Sequence, residues 1–305
     1  MNSKTNTVIV CQGTGCISGG GETIYQSLES ELARLKLGDQ INLKHSGCHG
    51  FCQRGPLVTV MPEGTFYTKV TPEDVPDIAR SLLPDGKPVA RLFYHDPAVT
   101  AEPIPHYQDI PFYAKQQRLV LRNCGHIDPE NIDDAIAAGG YQALKRVLAE
   151  LSPEQVIKQI NSSGLRGLGG AGFPTGQKWA ACREAPDTPK YVICNGDEGD
   201  PGAFQDRSVM EGDPHSVIEG MIIGGYTVGA RQGYIYVRAE YPLAVKRLKT
   251  AIDQAREKGF LGRNILDSGL RFNIEVFQGA GAFVCGESTA LVLSIEGKRG
   301  MPKPM

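Results

Sequence analysis

The fold of the N-terminal part follows from the stretch Val8–Cys16, which reads VIVCQGTGC. Its three leading β-branched residues, Val8–Val10, predict a buried strand that is followed at once by Cys11. Apolar residues at helical spacing predict an amphipathic helix over about 22–36, and the alternating segment 41–45 predicts a second strand. A strand, helix and strand in this order form a right-handed parallel βαβ unit, so both strands end at the same edge of the sheet.

Each of these strands runs into a glycine-bearing loop that holds two cysteines: Cys11 and Cys16 follow the first strand, and Cys48 and Cys52 follow the second. Because both loops lie at one edge, we expect the four thiolates to converge, with glycine leaving backbone N–H groups free to donate to sulfur. Four thiolates can hold either a [2Fe–2S] cluster or a tetrahedral zinc ion, and the spacing leaves both open.

The remaining segments up to residue 130 complete this first domain and connect it to the next. A hairpin over 57–70 and a helix over about 72–83 close the domain, which we assign to residues 1–86. Recurrent prolines predict that 87–130 is an extended linker packed on a surface. His95, His106 and His126 have no second ligand at metal-like spacing, which favours surface or hydrogen-bonding roles, and Cys124 is expected to be a buried thiol.

Residues 131–305 alternate helices and strands. The expected elements are an amphipathic helix over 132–148, a helix after Ser152, strands over 190–194, 233–238 and 272–277, and helices over 214–230, 242–258 and 288–295. This alternation predicts an open α/β sheet whose ligand lies at the carboxyl ends of the strands.

Three loops of this second domain have ligand-binding composition. Gly164–Trp179 is rich in glycine, so its backbone N–H groups can wrap a phosphate with Lys178 as counter-charge, although an irregular glycine loop would look the same. Asn195–Gly202 offers carboxylates for ribityl or ribose hydroxyls, and the alternative is a solvated acidic turn. Gly279–Ser288 leads into a helix N-terminus, which favours an anion or a dipolar ring edge. Cys285 in this loop is expected to be a packing thiol.

Bulk composition narrows the function classes. The chain has 305 residues, 41% of them hydrophobic and 22% charged, with a net charge of −2. Since no long run of like charge occurs, neither a nucleic-acid surface nor a membrane surface is indicated. The N-terminus lacks an apolar signal segment, and no apolar run approaches the roughly 20 residues that span a bilayer. These features favour a cytoplasmic protein, in which the eight cysteines serve as thiols or metal ligands rather than disulfides.

The cysteine motifs are similar to those of a known family. Cys11-x4-Cys16, followed by Cys48-His-Gly-Phe-Cys52-x-Arg-Gly-Pro, resembles the thioredoxin-like [2Fe–2S] ferredoxin module, which is related to the 24-kDa-type subunit of respiratory complex I. The resemblance covers about residues 7–85. It implies that the four cysteines ligate a cluster, which favours iron–sulfur over zinc.

The second domain resembles the flavin- and NADH-binding subunit of complex I, the 51-kDa type, and its relatives in soluble NAD-linked hydrogenases and formate dehydrogenases. A fused [2Fe–2S] module is typical of the hydrogenase relatives, including electron-bifurcating ones. The resemblance implies a Rossmann-like FMN- and NAD(P)H-binding domain over 131–305, and family members continue into ubiquitin-like and [4Fe–4S] domains that the printed sequence does not contain. Five ordered motifs carry it: Gly167–Trp179, Cys194–Glu198, Tyr234–Tyr241, Gly279–Glu287 and Ser294–Gly297.

The same resemblance implies roles for individual residues. Phe173 would contact the nicotinamide nucleotide, Glu198 would tune the nicotinamide or flavin edge as the one candidate catalytic residue, and Asp200 would make a nucleotide contact where many relatives carry the longer Glu. Ser288 replaces the second glutamate of the family's Gly-Glu-Glu-Thr motif, and losing that carboxylate opens the site to the 2′-phosphate of NADP(H). Implied for FMN phosphate and ribityl groups are Gly167, Gly169, Gly170 and Lys178, and for the flavin site Asn195, Asp197, Glu198, Phe283, Gly286 and Glu287.

The implied activity is an NAD(P)H:acceptor oxidoreductase, a diaphorase subunit that exchanges a hydride between nicotinamide and FMN and single electrons with a [2Fe–2S] cluster. Its partners would be NADH or NADPH and other iron–sulfur subunits of a larger redox complex, such as a hydrogenase or formate dehydrogenase. Two alternatives remain from the sequence: a non-catalytic electron-transfer or scaffold subunit with a vestigial flavin site, and a zinc-binding adaptor.

Overall fold

The computed structural model describes residues 6–303. Outside the described residues lie 1–5 and 304–305. The first range belongs to the segment expected to lack a signal, and the second ends the second predicted domain. The chain divides into two compact units. The first unit runs to Pro129 and includes Glu211–Asp213, and the second comprises Glu130–Met210 together with the residues from Pro214 onward.

The first unit is built on a four-stranded sheet of order β2-β1-β3-β4. Strand β1 pairs in parallel with β2, which confirms the βαβ unit. Strand β3 pairs antiparallel with β4, which confirms the hairpin, and it also pairs antiparallel with β1. The crossover helix α2 buries Ile24, Leu28 and Leu32 against the sheet, because residues four apart share one helix face. The elements are β1 (Asn6–Cys11), α1 (Thr14–Ser18), α2 (Gly21–Arg34), β2 (Ile41–Ser46), β3 (Val58–Met61), β4 (Thr65–Tyr67) and α3 (Val75–Ser81).

The segment 87–129 packs on this unit and follows the free edge of β4. Phe66 and Thr68 donate backbone hydrogen bonds to the carbonyl oxygens of Pro105 and Leu92, both at 2.8 Å. Such contacts satisfy the outward N–H groups that an edge strand would otherwise expose. The segment predicted to be a linker is therefore mostly irregular chain that covers the sheet edge, with one short helix, α4 (Pro111–Ala114).

The second unit contains a three-stranded parallel sheet of order β5-β6-β7 with helices in the connections, as the alternation predicts. Helix α10 carries apolar residues on most of its surface because it packs against α6, α7, α8, α11 and the sheet. The elements are α5 (Ile132–Ala137), α6 (Gln142–Glu150), α7 (Pro153–Ser163), α8 (Thr175–Glu184), β5 (Tyr191–Gly196), α9 (Gln205–Gly212), α10 (Pro214–Val228), β6 (Gln232–Arg238), α11 (Pro242–Glu257), β7 (Asn273–Gly279) and α12 (Ser288–Ile295).

One predicted helix is two. The periodicity over 132–148 predicts a single amphipathic helix, but the chain breaks between α5 and α6, where Gly139 and Tyr141 take positive φ values of 95° and 61°. The Glu219 side chain accepts hydrogen bonds from the backbone N–H groups of Tyr141 at 2.8 Å and Leu144 at 2.9 Å. A carboxylate from α10 thus caps the start of α6, which the local sequence pattern cannot reveal.

In the part of the chain that the structure describes, no helix combines the length and apolar character needed to cross a membrane.

Candidate functional site

The four predicted cluster cysteines come together at the carboxyl ends of β1 and β2. Cys11 ends β1 and lies opposite Ser46 at the end of β2, which brings the two cysteine loops side by side. The Sγ atoms of Cys48 and Cys52 are 3.3 Å apart, and the Cys11 thiol lies within hydrogen-bonding distance of Cys16 and Cys48. Cys11, Cys16 and Cys48 are buried, whereas Cys52 is exposed. The structure thus places four thiols that form no disulfide in one cluster, which reaches the surface at Cys52.

Glycines leave the space that a sulfur-bound group needs. A Cβ atom on Gly13 would lie 2.7 Å from Cys48 Cβ, and one on Gly55 would lie 2.8 Å from Cys16 Sγ. The backbone N–H of Gly50 donates to Cys48 Sγ at 3.2 Å, a contact of the kind that stabilises thiolates and cluster sulfur. The loops are therefore shaped for a compact inorganic group held by cysteine and enclosed by backbone.

The pKa values of the clustered thiols also fit a site for a positively charged metal group. The hydrogen bond with Cys16, together with burial, raises the pKa of Cys11 to about 12, and the hydrogen bond with Cys11, together with burial, raises the pKa of Cys48 to about 11. Buried neighbouring thiols resist ionisation because thiolates would repel each other in a poorly solvated site, whereas bound metal supplies compensating positive charge. Within residues 6–303, no group of three or more His, Cys, Asp or Glu side chains takes an arrangement that could hold a metal ion.

Two residues beside the cysteines were given no role by the sequence analysis. The His49 ring is buried among Phe66, Tyr107 and His126, and burial lowers the pKa of His49 to about 3, so the imidazole is neutral. Glu211, which belongs to the first unit, accepts hydrogen bonds from Thr14 N at 3.2 Å and Thr14 Oγ1 at 2.6 Å. It thereby caps the helix that carries Cys16, and its distance along the chain hides this role from sequence reasoning.

The other cysteines and histidines behave largely as expected. Cys124 and Cys285 are both buried, as predicted for packing thiols. His126 Nε2 lies 3.4 Å from the Tyr107 hydroxyl, which fits a hydrogen-bonding role rather than a metal ligand.

In the second unit, the loops after β5 and β7 meet at the carboxyl edge of the sheet. Asn195 Nδ2 donates to the carbonyl oxygen of Gly286 at 2.8 Å, and Asp197 N donates to Asn195 Oδ1 at 3.1 Å. A Cβ on Gly286 would lie 3.3 Å from the Asp197 carbonyl oxygen, so the two loops touch along their backbones. The structure therefore brings together Asn195, Asp197 and Gly286, three residues that the sequence assigned to one site.

Asp197 carries the clearest sign of a ligand. Its Oδ2 atom is buried and has no hydrogen-bond partner, and burial raises the pKa of this carboxyl group. Arg238 opposes that shift. Its Nη1 and Nη2 atoms donate to Glu198 O at 2.5 Å and to Glu240 Oε1 at 2.8 Å, and its buried Nε atom, like Asp197 Oδ2, has no partner. A buried carboxylate oxygen without a partner is costly, and a donor group of a bound molecule would relieve that cost.

Both predicted glutamates of the site cap helices. Glu198 accepts hydrogen bonds from the first backbone N–H groups of α9, at 2.6 Å from Gln205 and 3.2 Å from Arg207. Glu287 Oε2 accepts from the N–H groups of Thr289 and Ala290, both at 2.9 Å, at the start of α12. These contacts hold the loops in place, and the ligand roles assigned to the two carboxylates stay predictions.

The glycine loop stands open before α8. Gly170 and Gly172 have positive φ values of 100° and 62°, and a Cβ on either would meet no atom within 4 Å, so the loop leaves free space beside its backbone. Gly167 and Gly169 are exposed as well, and Gly167 N donates to Phe173 O at 3.0 Å within the loop. Lys178 is exposed on α8, whose first turn contains no acidic residue.

No hydrogen bond among the described residues links the glycine loop to the loop Asn195–Glu198, so their membership of one pocket stays a prediction. The aromatic candidates Phe173 and Phe283 are 50% and 69% exposed, which leaves their rings available to stack on a planar ligand. Asp200 and Ser288 are also exposed, and Ser288 is the first residue of α12.

Two known family models each match part of the chain. Residues 2–83 match the thioredoxin-like [2Fe–2S] ferredoxin family, and residues 160–305 match the Nuo51 FMN-binding domain. The mixed α/β architecture, with a thioredoxin-like domain followed by an α/β flavin-binding domain, is the one that the sequence predicts.

Individual relatives match part of the chain. The NADP-reducing hydrogenase subunit HndC of Solidesulfovibrio fructosivorans is 61% identical over 62% of this chain and 38% of its own length. An NADH-quinone oxidoreductase subunit of Aquifex aeolicus is 53% identical over 65% of this chain and 46% of its own length. This chain thus spans less than half the length of these curated relatives. An NAD⁺-reducing [NiFe]-hydrogenase in the H2-reduced state shares the fold, with a TM-score of 0.51, 24% identity, and coverage of 98% of this chain and 47% of that one.

Proposed function

We propose that this chain, which joins a member of the thioredoxin-like [2Fe–2S] ferredoxin family to a Nuo51 FMN-binding domain, is the FMN-dependent NAD(P)H dehydrogenase module of a multisubunit redox complex. It would exchange a hydride between nicotinamide and FMN and single electrons with the cluster. The observation that carries the proposal is that one chain contains both kinds of site. Its first unit has four clustered thiols, and its second unit has a carboxylate with a buried, unpartnered oxygen, Asp197 Oδ2, at the carboxyl edge of a parallel sheet.

Bound FMN supplies the conversion between two-electron hydride chemistry and single-electron transfer. The protein contributes orientation and charge. The Asp197 carboxylate accepts a hydrogen bond from an N–H or hydroxyl group of the ligand, which gives the buried Oδ2 atom the partner it lacks. The N–H groups around Gly170 and the Lys178 ammonium bind phosphate, and Phe173 offers an exposed ring for stacking on the nicotinamide.

In the first unit, Cys11, Cys16, Cys48 and Cys52 hold the cluster. Cys52 reaches the surface, so the cluster can exchange electrons without its buried side being opened to water. The Gly50 N–H and the close approach of Gly13 and Gly55 exclude solvent from the buried sulfurs and stabilise their negative charge.

We also propose that the nucleotide site accepts NADP(H). Ser288 is exposed at the first position of α12, its hydroxyl can donate to a phosphate, and it stands where the resembled family carries a glutamate that would repel one. The name of the relative with 61% identity, an NADP-reducing hydrogenase subunit, supports this proposal.

The remaining proposals concern the cellular setting. Partners would be NADH or NADPH and further iron–sulfur subunits of a hydrogenase, a formate dehydrogenase or a similar complex. By name, the relatives above are subunits of a hydrogenase and of an NADH-quinone oxidoreductase. The proposed location is the cytoplasm, and nucleic acid is not among the proposed partners.

Anaerobic spectroscopy of the purified full chain tests the function. We expect about two iron atoms and one FMN per chain, and we expect the flavin absorbance to bleach when NADH or NADPH is added. Iron without FMN, together with a spectrum that neither nucleotide changes, would favour the non-catalytic electron-transfer subunit. Zinc without iron in a colourless protein would favour the adaptor.

A further inference from the structure

A cavity of about 480 Å³ lies at the amino ends of β6 and β7 in the second unit. The predicted flavin site uses the loops at the carboxyl ends of the parallel strands, so this cavity is at the opposite edge of the same sheet. No residue that the sequence assigned to a cofactor lines it. Its lining residues are Arg231, Gln232, Gly262, Arg263, Arg271 and Asn273.

The three arginines of this cavity, which we call the arginine cleft, are unusual in the chain. All three are exposed, and among residues 6–303 none of their guanidinium groups has an ion-pair or hydrogen-bond partner. Elsewhere in the same unit, Arg183 and Arg256 pair with carboxylates at 2.6 Å and 3.1 Å. Three unpaired cations around one cavity, in a chain whose net charge is −2, concentrate positive charge at a single place.

The backbone that carries these arginines is firmly held. Gly262 and Phe272 exchange two backbone hydrogen bonds at 2.9 Å and 3.0 Å, which tie the turn after α11 to the start of β7. Asn273 N donates to Arg231 O at 3.0 Å, which fixes the start of β6 beside it. The backbone positions from which the three guanidinium groups extend are therefore fixed, so the backbone needs little ordering when a ligand binds.

Two amide side chains complete the lining. Asn273 Oδ1 accepts a hydrogen bond from Arg256 Nη2 at 2.9 Å, so the Asn273 amide nitrogen remains to donate to a ligand. Gln232 Nε2 donates to Glu275 Oε1 at 3.2 Å, and the six lining residues of the cavity include no acidic side chain. The donors lining the cavity thus outnumber the acceptors, which fits a ligand that only accepts hydrogen bonds.

We propose that the arginine cleft binds a compact polyanion with at least two adjacent phosphate groups, free or as part of a nucleotide. Guanidinium groups donate two parallel hydrogen bonds to phosphate oxygens, and three of them around one cavity can contact several oxygens at once. A concave cavity of this size falls within the range of small-molecule pockets, roughly 300–1,000 Å³, which favours a small anion over an acidic protein segment.

The test uses inorganic triphosphate as the probe and isothermal titration of the full chain loaded with its flavin and cluster. We expect one triphosphate per chain at the cleft, and we expect Arg231→Gln, Arg263→Gln and Arg271→Gln each to weaken binding by about tenfold, since each removes a charge-assisted pair. The matched control is Arg146→Gln, which removes an exposed arginine from α6 in the same unit and should leave binding unchanged.

Activity and ATP-binding measurements on the same proteins test whether the cleft is separate from the nucleotide site and which part of a ligand it binds. NAD(P)H-dependent reduction without triphosphate should be the same in the wild type and in all four variants, which separates the cleft from the nucleotide site. Equal affinity for ATP and triphosphate identifies the phosphates as the whole ligand, and tighter binding of ATP indicates that the nucleoside also contacts the cleft. Absence of triphosphate binding, or binding that the three cleft substitutions do not weaken, would overturn the proposal, as would equal weakening by Arg146→Gln.

Discussion

Replacing Glu198 separates its structural contacts from a role in chemistry. The carboxylate accepts three backbone hydrogen bonds from the first turn of α9, at 2.6, 3.1 and 3.2 Å, and the Tyr241 hydroxyl lies 3.3 Å from Oε2. Glu198→Ala leaves those N–H groups without an acceptor and removes negative charge from a helix N-terminus. Loss of a cap costs about 1 kcal/mol and loss of the charge up to about 1 kcal/mol more, so we expect a total of about 2 kcal/mol.

For a unit of this size, 1 kcal/mol shifts the melting temperature by about 2–4 °C, so Glu198→Ala should melt about 4–8 °C lower than the wild type. Glu198→Gln keeps an oxygen acceptor and should lose less than half of that. The assay is thermal unfolding followed by circular dichroism, with hydrogen exchange of residues 205–207 as the local readout. Glu184→Ala, which removes an exposed glutamate at the end of α8, is the control and should melt with the wild type.

The same variants test the catalytic assignment from sequence. If the carboxylate acts mainly as a helix cap, Glu198→Gln retains most of its NADH-dependent flavin reduction. The reasoning is refuted if Glu198→Ala melts with the wild type while Glu198→Gln abolishes reduction, because the carboxylate would then act on the ligand.

Three further substitutions test other parts of the account. Cys16→Ser should lose the cluster iron, because it removes one of the four clustered thiols, whereas Cys124→Ser, which removes a buried thiol outside the cluster, should keep it. Equal iron content in the two variants would contradict the ligand assignment. Burial and the neighbouring Glu198 raise the pKa of Asp206 to about 6, so the ionised form of Asp206 destabilises the fold above that pH. Asp206→Asn should therefore raise the melting temperature at pH 8, and this gain should shrink as the pH falls through 6 and be gone below about 4. A gain that does not vary with pH would argue against this cause. Ser288→Glu should shift the ratio of kcat/KM values from NADPH toward NADH, since a carboxylate repels the 2′-phosphate, and a strong NADH preference that is the same in both proteins would contradict the proposal.

Much of the fold is predictable because its signals are local. Strand β1 and helix α2 are marked by apolar residues at periods that neighbouring residues set, and the parallel βαβ rule then places both cysteine loops at one sheet edge. The same rule brings Asn195 and Gly286 together after β5 and β7. Where apolar residues repeat at a local period and the connection between parallel strands has one allowed hand, the sequence predicts at which sheet edge a loop and its residues lie.

The features that escape prediction depend on residues far apart in the chain. The break before α6 needs the Glu219 side chain of α10 to cap the new helix, and the cap on α1 needs Glu211. The segment 87–129 has no period of its own because its backbone pairs with the exposed edge of β4, so its composition resembles that of a linker. The arginine cleft gathers residues from two strand starts and one turn, and no motif links them.

The central claim is that electrons pass from a reduced nicotinamide through FMN to the cluster held by the four cysteines. Electron paramagnetic resonance of the full chain under anaerobic conditions tests it most directly, using one sample loaded with FMN and one stripped of it, each with an intact cluster that dithionite can reduce. We predict that NADH or NADPH produces the signal of a reduced [2Fe–2S] cluster in the FMN-loaded sample alone. A cluster that stays oxidised with both nucleotides in the FMN-loaded sample, or that is reduced equally in the stripped sample, would contradict the claim.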